Sequence, residues 1–522
     1  MSRRWECVLG LSLALIVIYG GGKVAARPPE HFRSPLPAEV RFHNGAPTVF
    51  FGGQPVFYGS WWGSPPSPEG WAHAAFARSV APEVGIHIYA FDIGPQEWAG
   101  PAPGRNSDYD FSTVRRRFGR LIEADPQACF YLRIYLEMNE GLSRWWLDRY
   151  PGEREVVSDG SPDRQSLAST VWRDQAKGFL RALVAFLKAD GLFERVVAYQ
   201  VGTGHTGEWV KGKLSMLDLT GDYSESMARY FRAWLRARYG TDRAFRLAWN
   251  DPQASLDAAR VPSREAQLTT THFLFRDPRR EQNVIDYYRA LAELSGDLVA
   301  DFCRTIKEAA GRKAMAGAFF GYLMELAWNA GFFSEGPPSD YSTYQRSGHL
   351  GLARVLDSPD VDFLVSPYGY GFRGIGGEGA AMPPAEALRL HGKLYIMEDD
   401  TRTHTDSHPA FGRARTQAET VAVLRRNFGS VLTRGQGMWW LLGKGHIDTM
   451  LDPAFEPLLK KFREIAVFAL DTDRSSPAET AILLDDESFF YETVRNDLDL
   501  PLIFEQRLFG LPRMGAACDV HL

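Results

Sequence analysis

The stretch Lys393-Leu-Tyr-Ile-Met-Glu-Asp-Asp-Thr-Arg-Thr-His404 indicates the fold most directly, because an apolar run within it ends on a carboxylate. Leu394 to Met397 is typical of a strand buried in a parallel sheet, and Glu398 follows it at once. The residues after Glu398 are too polar to continue a core strand. In a barrel of parallel strands the carboxyl ends carry the functional groups, so this stretch predicts a barrel strand with a catalytic residue at its end.

A second apolar run, Val196 to Val201, also leads into a polar segment, which is rich in glycine and carries Glu208. Two carboxylates at the ends of two barrel strands are the pair that hydrolysis of a glycosidic bond requires. We therefore predict Glu398 as the nucleophile and Glu208 as the general acid/base. In a retaining enzyme their carboxyl groups are expected roughly 5–5.5 Å apart.

Strand-like and helix-like segments alternate from residue 40 to residue 470, which we predict to be one catalytic domain. The eight strand candidates are a first one ending at Trp61-Trp62, then Ile86–Ile93, Phe130–Met138, Val196–Val201, Ala314–Gly321, Asp362–Tyr370, Leu394–Glu398 and Met438–Leu442. Helical patterns lie at Pro68–Val84, Phe111–Ala124, Val171–Ala189, Ser224–Tyr239, Asn283–Ala310, Tyr344–Leu356 and Thr416–Val431. Eight such units favour an α/β fold of the (β/α)8 TIM-barrel type. A doubly wound open sheet is the alternative, but no glycine-rich phosphate loop follows the first strand.

Segments outside the barrel also have readable patterns. Residues 1–26 are predicted to be a signal peptide cleaved after Ala26, which implies a secreted or periplasmic protein without stable membrane insertion; an uncleaved anchor is the alternative. Residues 27–39 form a proline-rich linker. The Arg-rich insertion at 241–282 is expected to wall the open face of the barrel. Residues 477–522 resemble the start of an α/β domain, too short for its own core. We expect the chain to stop inside that domain, whose removal should leave the barrel's stability nearly unchanged.

The composition indicates which kinds of molecule the protein could bind. The 522 residues carry a net charge of −5 with no sustained basic run, which argues against nucleic-acid binding. Aromatic residues make up 13% of the chain, as suits a carbohydrate substrate or a large barrel core. The four cysteines lack metal-ligand spacing and no H-E-x-x-H motif occurs, so neither a metal nor a cofactor is expected.

Residues next to the two carboxylates are predicted to assist them. Trp209 is predicted to contact the substrate, and it could desolvate Glu208 and raise the pKa of that carboxyl group toward that of a general acid. His205 could bind substrate hydroxyls, although a structural role is the alternative. Beyond Glu398, Asp399 and Arg402 are predicted to contact the substrate, and Arg402 could keep the nucleophile ionised. The alternative for this second group is an ion cluster in a loop.

Other strand ends offer further binding residues. Arg133 and Glu137 alternate along the third strand, so Glu137 is predicted either to bind hydroxyls or to pair with Arg133. Tyr368, at the end of the sixth strand, could be aimed at the nucleophile. Trp62 and Trp439 are candidate platforms for sugar rings, with core packing as the alternative for each.

With these residues in place, the chain resembles the family 42 β-galactosidases of glycoside hydrolase clan A from about Val40 to its end. Leu394-Tyr-Ile-Met-Glu398 matches the nucleophile strand, and Trp145-Trp146-Leu-Asp-Arg-Tyr-Pro151 matches a Trp-Leu…Tyr-Pro pattern of the family. The resemblance implies a barrel with the acid/base after strand four and the nucleophile on strand seven, followed by a flavodoxin-like domain, and a possible homo-oligomer. It also implies retaining hydrolysis of a β-linked sugar.

The chain departs from the family pattern after the fourth strand. The family shows Asn-Glu there, whereas this chain has Thr203-Gly204, and Glu208 is the nearby carboxylate that could substitute. The cysteine cluster that binds zinc in some members is also absent from the sequence. An alternative to hydrolysis is therefore a catalytically inactive or atypical barrel that binds glycan.

Overall fold

A computed structural model describes residues 32–63, 71–101, 107–210, 219–327, 343–407, 411–442, 446–492 and 498–522. The predicted signal peptide, residues 1–26, lies outside these ranges, as does part of the predicted linker. Among the described helices, none has both the length and the apolar character needed to cross a membrane.

Eight parallel strands close into a barrel, as the sequence predicts. They are β1 (Gly59–Trp62), β2 (Ile88–Ile93), β3 (Cys129–Tyr135), β4 (Val196–Gly202), β5 (Met315–Phe319), β6 (Phe363–Pro367), β7 (Leu394–Asp399) and β8 (Gly437–Leu441). Each strand pairs with the next in chain order, and β8 closes the ring by pairing with β1. All eight pairings are parallel, which confirms the (β/α)8 fold.

A helix or a set of helices follows every strand. In chain order they are Trp71–Val84; Ser112–Ala124; Arg144–Arg149 and Thr170–Ala189; Glu225–Tyr239, Asp242–Trp249, Arg264–Leu268 and Pro278–Ala309; Tyr344–Ser347 and Leu352–Asp357; Ala385–Leu390; Gln417–Thr433; and His446–Leu451 and Glu456–Leu470. The predicted helix at Tyr344–Leu356 is interrupted at Gly348, whose φ is 89°. The helices after β6 and β8 are absent from the sequence-based prediction.

Local sequence explains where the main helices begin. The helix after β7 starts with a capping box, in which the Thr416 hydroxyl accepts a hydrogen bond from the Glu419 N–H. The Glu419 carboxylate in turn accepts from the N–H of Arg415. At the starts of the helices after β3 and β4, the hydroxyls of Ser169 and Ser224 accept hydrogen bonds from the N–H groups three residues later. The helices that begin at these caps form the outer layer of the barrel and cover strands that are buried on both faces.

A small antiparallel sheet covers the amino-terminal end of the barrel. Its strands are Ala38–His43, Ala46–Phe51 and Gln54–Val56. Asn44 and Gly45, with φ of 46° and 82°, form the tight turn between the first two of these strands. The N–H of Ala38 donates to the carbonyl of Lys313, just before β5. The opposite, carboxyl-terminal end therefore remains the place for a functional site.

The insertion and the C-terminal segment meet each other on the barrel. Residues 241–282 pack along the helix Pro278–Ala309, and the N–H of Arg276 donates to the carbonyl of Tyr491. Within the C-terminal segment, Thr480–Leu483 and Cys518–His521 form a two-stranded parallel sheet, the only pairing of that segment's strands in the described ranges.

Apolar residues of the C-terminal segment divide into two groups. Phe489, Phe490 and Phe504 are buried, whereas Leu502 is 64% exposed. Phe489 stacks on Tyr344 at 4.4 Å between ring centroids. Burial of three phenylalanines argues against a nearly neutral removal of residues 477–522, since their loss would expose apolar barrel surface.

Candidate active site

Glu398 is fixed by the register of β7. It lies opposite Trp439 of β8, whose ring packs inside the barrel against Trp62 at 5.5 Å. Neighbouring residues in register point to the same face of a sheet, so Glu398 also points inward. Only 7% of Glu398 is exposed. The strand thus delivers a carboxylate into the barrel at its carboxyl-terminal end.

Asp399 points the other way, as its position next to Glu398 requires. It lies opposite Trp440, whose ring stacks on Trp61 on the helix side of the sheet. Its carboxylate accepts a hydrogen bond from the side-chain amide of Asn427 at 3.2 Å. The predicted contact of Asp399 with substrate is therefore corrected: this residue ties the strand end to the helix Gln417–Thr433.

Glu208 is held by a loop rather than by a strand. After β4 the backbone takes positive φ at Gly204, Thr206, Gly207 and Trp209. Only two of these four residues are glycines, so the turn contains strain that the surroundings must offset. The loop turns the carboxyl group of Glu208 inward, where it is 4% exposed.

Three side chains hold Glu208 in place. Its Oε2 accepts a hydrogen bond from the Thr206 hydroxyl at 2.7 Å, and its Oε1 accepts from the Tyr322 hydroxyl at 3.3 Å. Its backbone carbonyl lies 2.8 Å from Nε2 of His349. Tyr322 and His349 are missed by the sequence-based prediction. Tyr322 does follow the end of β5 closely, which is a usable signal, whereas nothing in the sequence marks His349.

Trp209 does not lie where the sequence suggests. Its indole N–H donates to the carbonyl of Val201 at 3.0 Å, and its ring packs against Phe302 and Phe320. With 1% exposure, Trp209 is part of the hydrophobic core and is not available to a substrate. The predicted substrate contact is therefore corrected, and the tryptophan instead anchors the strained loop that carries Glu208.

Arg133 is the cation whose charge acts most on the two carboxylates. Its guanidinium lies 4.5 Å from the ring centroid of Trp62 and 5.3 Å from that of Trp439. It donates to the Tyr135 hydroxyl at 2.8 Å, and its Nε lies 3.6 Å from the Asp92 carboxylate. Within the described residues its Nη1 has no hydrogen-bond partner although it is buried. Arg133 can therefore interact with both carboxylates and with a bound molecule.

Arg402 does not have the role predicted for it. Its Nη1 donates to the backbone oxygen of Asp400 at 2.9 Å, and its guanidinium lies 5.9 Å from the Phe411 ring. The Asp400 carboxylate also pairs with buried Arg373 at 2.7 Å. The ion cluster in the loop, which was the alternative interpretation, is what forms here. The cation that favours an ionised Glu398 is Arg133 instead.

Burial and nearby charges shift the pKa of both carboxyl groups. Burial raises the pKa of Glu208 to about 7, while the Thr206 hydroxyl and Arg133 lower it. Burial also raises the pKa of Glu398; Arg133 lowers it, and the negative charges of Asp400 and Glu208 raise it further. Because burial raises both pKa values and an ionised Glu208 disfavours ionisation of Glu398, the site favours a protonated carboxyl group near neutral pH. One proton on two carboxyl groups is the state in which one acts as acid and the other as nucleophile.

The remaining predicted binding residues are divided between the barrel interior and its rim. Trp62 and Trp439 line the interior, and the Trp62 indole N–H donates to Asp92 at 3.2 Å. Tyr368 is fully buried and its hydroxyl pairs with that of Thr401 at 2.8 Å, so its predicted orientation toward the nucleophile is corrected. The side chain of His205 lies outside the described part of the structure.

Glu137 forms an ion pair, but with a partner that the sequence does not suggest. Arg164 donates to its carboxylate at 2.6 Å, and Asn139 donates at 3.0 Å. Glu137 lines a cavity of about 290 Å³ next to Tyr135 and Thr206. In the described residues no group of His, Cys, Asp or Glu side chains could hold a metal ion.

Comparisons with known proteins identify a relative by sequence and several neighbours by structure. No family model matches the chain. The β-galactosidase of Thermus thermophilus is 25% identical over 319 residues, which cover 55% of this chain and 44% of that protein. The chain thus spans less than half the length of this relative.

Solved structures show the same architecture. The β-galactosidase of the psychrophilic Marinomonas ef1 superposes with a TM-score of 0.55 at 14% identity, over 85% of this chain and 65% of that one. The catalytic domain of a β-amylase from Paenibacillus polymyxa superposes with a TM-score of 0.54 at 12% identity, over 79% of this chain and 98% of that one. At such identities the likeness establishes the barrel fold. Together with the sequence relative, it confirms the resemblance to family 42 β-galactosidases.

Proposed function

We propose that this protein is a retaining glycoside hydrolase that cleaves a β-linked sugar, with a β-galactoside as the first substrate to test. The observation that carries the proposal is the pair of buried carboxylates, Glu208 after β4 and Glu398 at the end of β7: burial raises the pKa of both, and the charge of Arg133 lowers the pKa of both. Similarity to β-galactosidases supports the choice of sugar.

In the proposed first step, Glu398 attacks the anomeric carbon while Glu208 protonates the departing glycosidic oxygen. The bond from carbon to the leaving oxygen breaks as the bond to the Glu398 carboxylate forms. Positive charge developing on the sugar favours an ionised Glu398 and therefore a proton on Glu208. Arg133 lowers the pKa of both carboxyl groups and so stabilises the ionised nucleophile, while the charge of the substrate decides which group holds the proton.

In the second step, Glu208 acts as a base. It removes a proton from water, which attacks the same carbon and displaces Glu398. Two displacements at one carbon restore the original anomeric configuration. Hydrogen bonds from Thr206 and Tyr322 keep the Glu208 carboxyl group facing the same point through both steps.

A fluorinated substrate tests this proposal. First, a panel of aryl β-glycosides identifies the sugar that is turned over. Incubation with the matching 2-deoxy-2-fluoro glycoside bearing a good leaving group should then add one fluoroglycosyl group, which peptide mapping should place on Glu398. NMR during the reaction should show the β anomer as the first sugar product, as retention requires. If the α anomer appears first, the retaining mechanism is wrong, but the protein is still a glycoside hydrolase.

A barrel that binds glycan without cleaving it is the second candidate. It is favoured by Thr203-Gly204, which replaces the Asn-Glu pair expected after the fourth strand. Calorimetric binding of an oligosaccharide, without turnover or labelling of Glu398, would support this candidate over the first. We further propose, from residues 1–26, that the protein is exported; N-terminal sequencing of the mature protein should begin near Arg27.

A further inference from the structure

His349 contacts both Glu208 and Tyr322, whose side chains form a hydrogen bond with each other. It lies after Gly348 in the short turn His349–Gly351 and is completely buried. Its ring stacks on Phe320 at 4.8 Å between centroids and meets the edge of Tyr322 at the same distance. Packing on both faces leaves the imidazole a single orientation.

Both nitrogens of this ring contact the backbone. The N–H of Tyr322 lies 3.0 Å from Nδ1, and the carbonyl of Glu208 lies 2.8 Å from Nε2. A backbone N–H can only donate and a carbonyl can only accept, so Nδ1 must be unprotonated and Nε2 must carry hydrogen. The contacts therefore define a neutral imidazole with one tautomer.

A charged imidazole does not fit this site. A proton on Nδ1 would face the Tyr322 N–H and would break the first hydrogen bond. Burial acts in the same direction, lowering the pKa of His349 to about 3, partly offset by the bond to Glu208. The ring thus has no proton to exchange at the pH of catalysis, which rules out a role as acid or base.

The contacts of His349 have a common consequence for the site. Through Nε2 it holds the backbone of Glu208, and through Nδ1 it holds the backbone of Tyr322, whose hydroxyl donates to the Glu208 carboxyl group. The loop around Glu208 has positive φ at Thr206 and Trp209 and needs external support.

We propose that His349 is a positioning residue, a neutral imidazole clamp that sets Glu208 and Tyr322 at a fixed distance from each other. This inference rests on the proposed function, because it assigns the clamp to the general acid/base.

Two matched variants test the two hydrogen bonds of His349 separately. His349→Gln can donate from its amide near the position of Nε2, whereas His349→Asn can accept near the position of Nδ1. His349→Phe keeps an aromatic ring but loses both bonds. We expect His349→Gln to remain closest to wild type, because it keeps the bond to the residue that moves the proton.

The experiment measures how kcat/KM of each variant depends on the leaving group of the substrate. An alkyl glycoside needs protonation of its leaving oxygen, whereas a dinitrophenyl glycoside does not. For His349→Phe we expect kcat/KM to fall about 100-fold on the alkyl glycoside, the scale of a general acid, and to stay within about 3-fold on the dinitrophenyl glycoside. An equal loss on both substrates, or no loss on either, would overturn the proposal.

A second measurement does not depend on activity. Protein labelled with ¹⁵N-histidine should show, for the resonance absent from His349→Gln, one protonated and one unprotonated ring nitrogen between pH 5 and 8. A His349 ring that titrates in this range would refute the clamp whether or not the protein hydrolyses sugars. If the NMR result holds but wild type cleaves no glycoside of the panel, the proposed function fails while the neutral clamp remains.

Discussion

The two candidate catalytic carboxylates are supported in different ways. Glu398 belongs to β7, where pairing with strands on both sides fixes its direction. Glu208 stands on a strained loop and depends on Thr206 of the same loop and on Tyr322 and His349 from distant parts of the chain. The comparison teaches that regular strand pairing is enough to orient a carboxylate, whereas a carboxylate on a loop needs side-chain contacts from distant segments to hold it.

The largest effect is expected at the strand. Glu398→Gln removes the nucleophile and leaves an amide of equal size, so kcat should fall by roughly 10⁴-fold or more on every substrate. Steady-state kinetics on an aryl and an alkyl glycoside would measure this. Glu398 would lose its assigned role if the variant kept more than a few per cent of wild-type kcat. Unchanged circular dichroism serves as the control for folding.

A smaller, selective effect is expected at the loop. Glu208→Gln should reduce kcat/KM by about 10²–10⁴-fold on an alkyl glycoside, because the leaving oxygen then departs without a proton. On a dinitrophenyl glycoside kcat/KM should change little, while kcat falls because water lacks its base. Added azide should restore kcat on the activated substrate as a glycosyl azide. A uniform loss on both substrates, without azide rescue, would argue that Glu208 is not the acid/base.

Stability should respond to pH in a direction set by burial. The pKa of Glu208 in the folded protein is raised to about 7 from 4.5, so folding is favoured less as pH rises through this range. Glu208→Gln should therefore be more stable than wild type at pH 8, by up to about 3 kcal/mol, with the difference vanishing near pH 4. Melting temperatures of both proteins from pH 4 to 8 measure it. A gap that widens on acidification would show that the carboxylate is stabilised when charged.

Strand residues could be predicted from sequence because their environment repeats locally. The run Leu394 to Met397 and its terminal Glu398 need no knowledge of distant residues. The same alternation explains the error at Asp399, since residues adjacent in a strand face opposite sides. The same rule places Arg133 and Tyr135 on one face of β3, as predicted, but it does not show that Arg133 acts on the two carboxylates.

Loop residues were harder to predict because their partners are far away in sequence. Trp209 follows Glu208 directly, yet a positive φ of 62° turns its ring into the core. His349 reaches Glu208 across 141 positions, a contact that only the closed barrel creates. Neither outcome follows from composition or periodicity.

The smallest effect is expected at Arg402. From the sequence, Arg402 is predicted to keep Glu398 ionised, a role that the structure gives to Arg133. Arg402→Leu is expected to change kcat/KM less than about 3-fold, because Asp400 keeps its 2.7 Å ion pair with Arg373. Arg133→Met, the matched control, should cost about 10²-fold, since it removes the buried cation that favours an ionised Glu398. Kinetics on one aryl glycoside suffice for both variants. Equal losses at the two positions would return Arg402 to the site and make the loop after β7 part of the catalytic machinery.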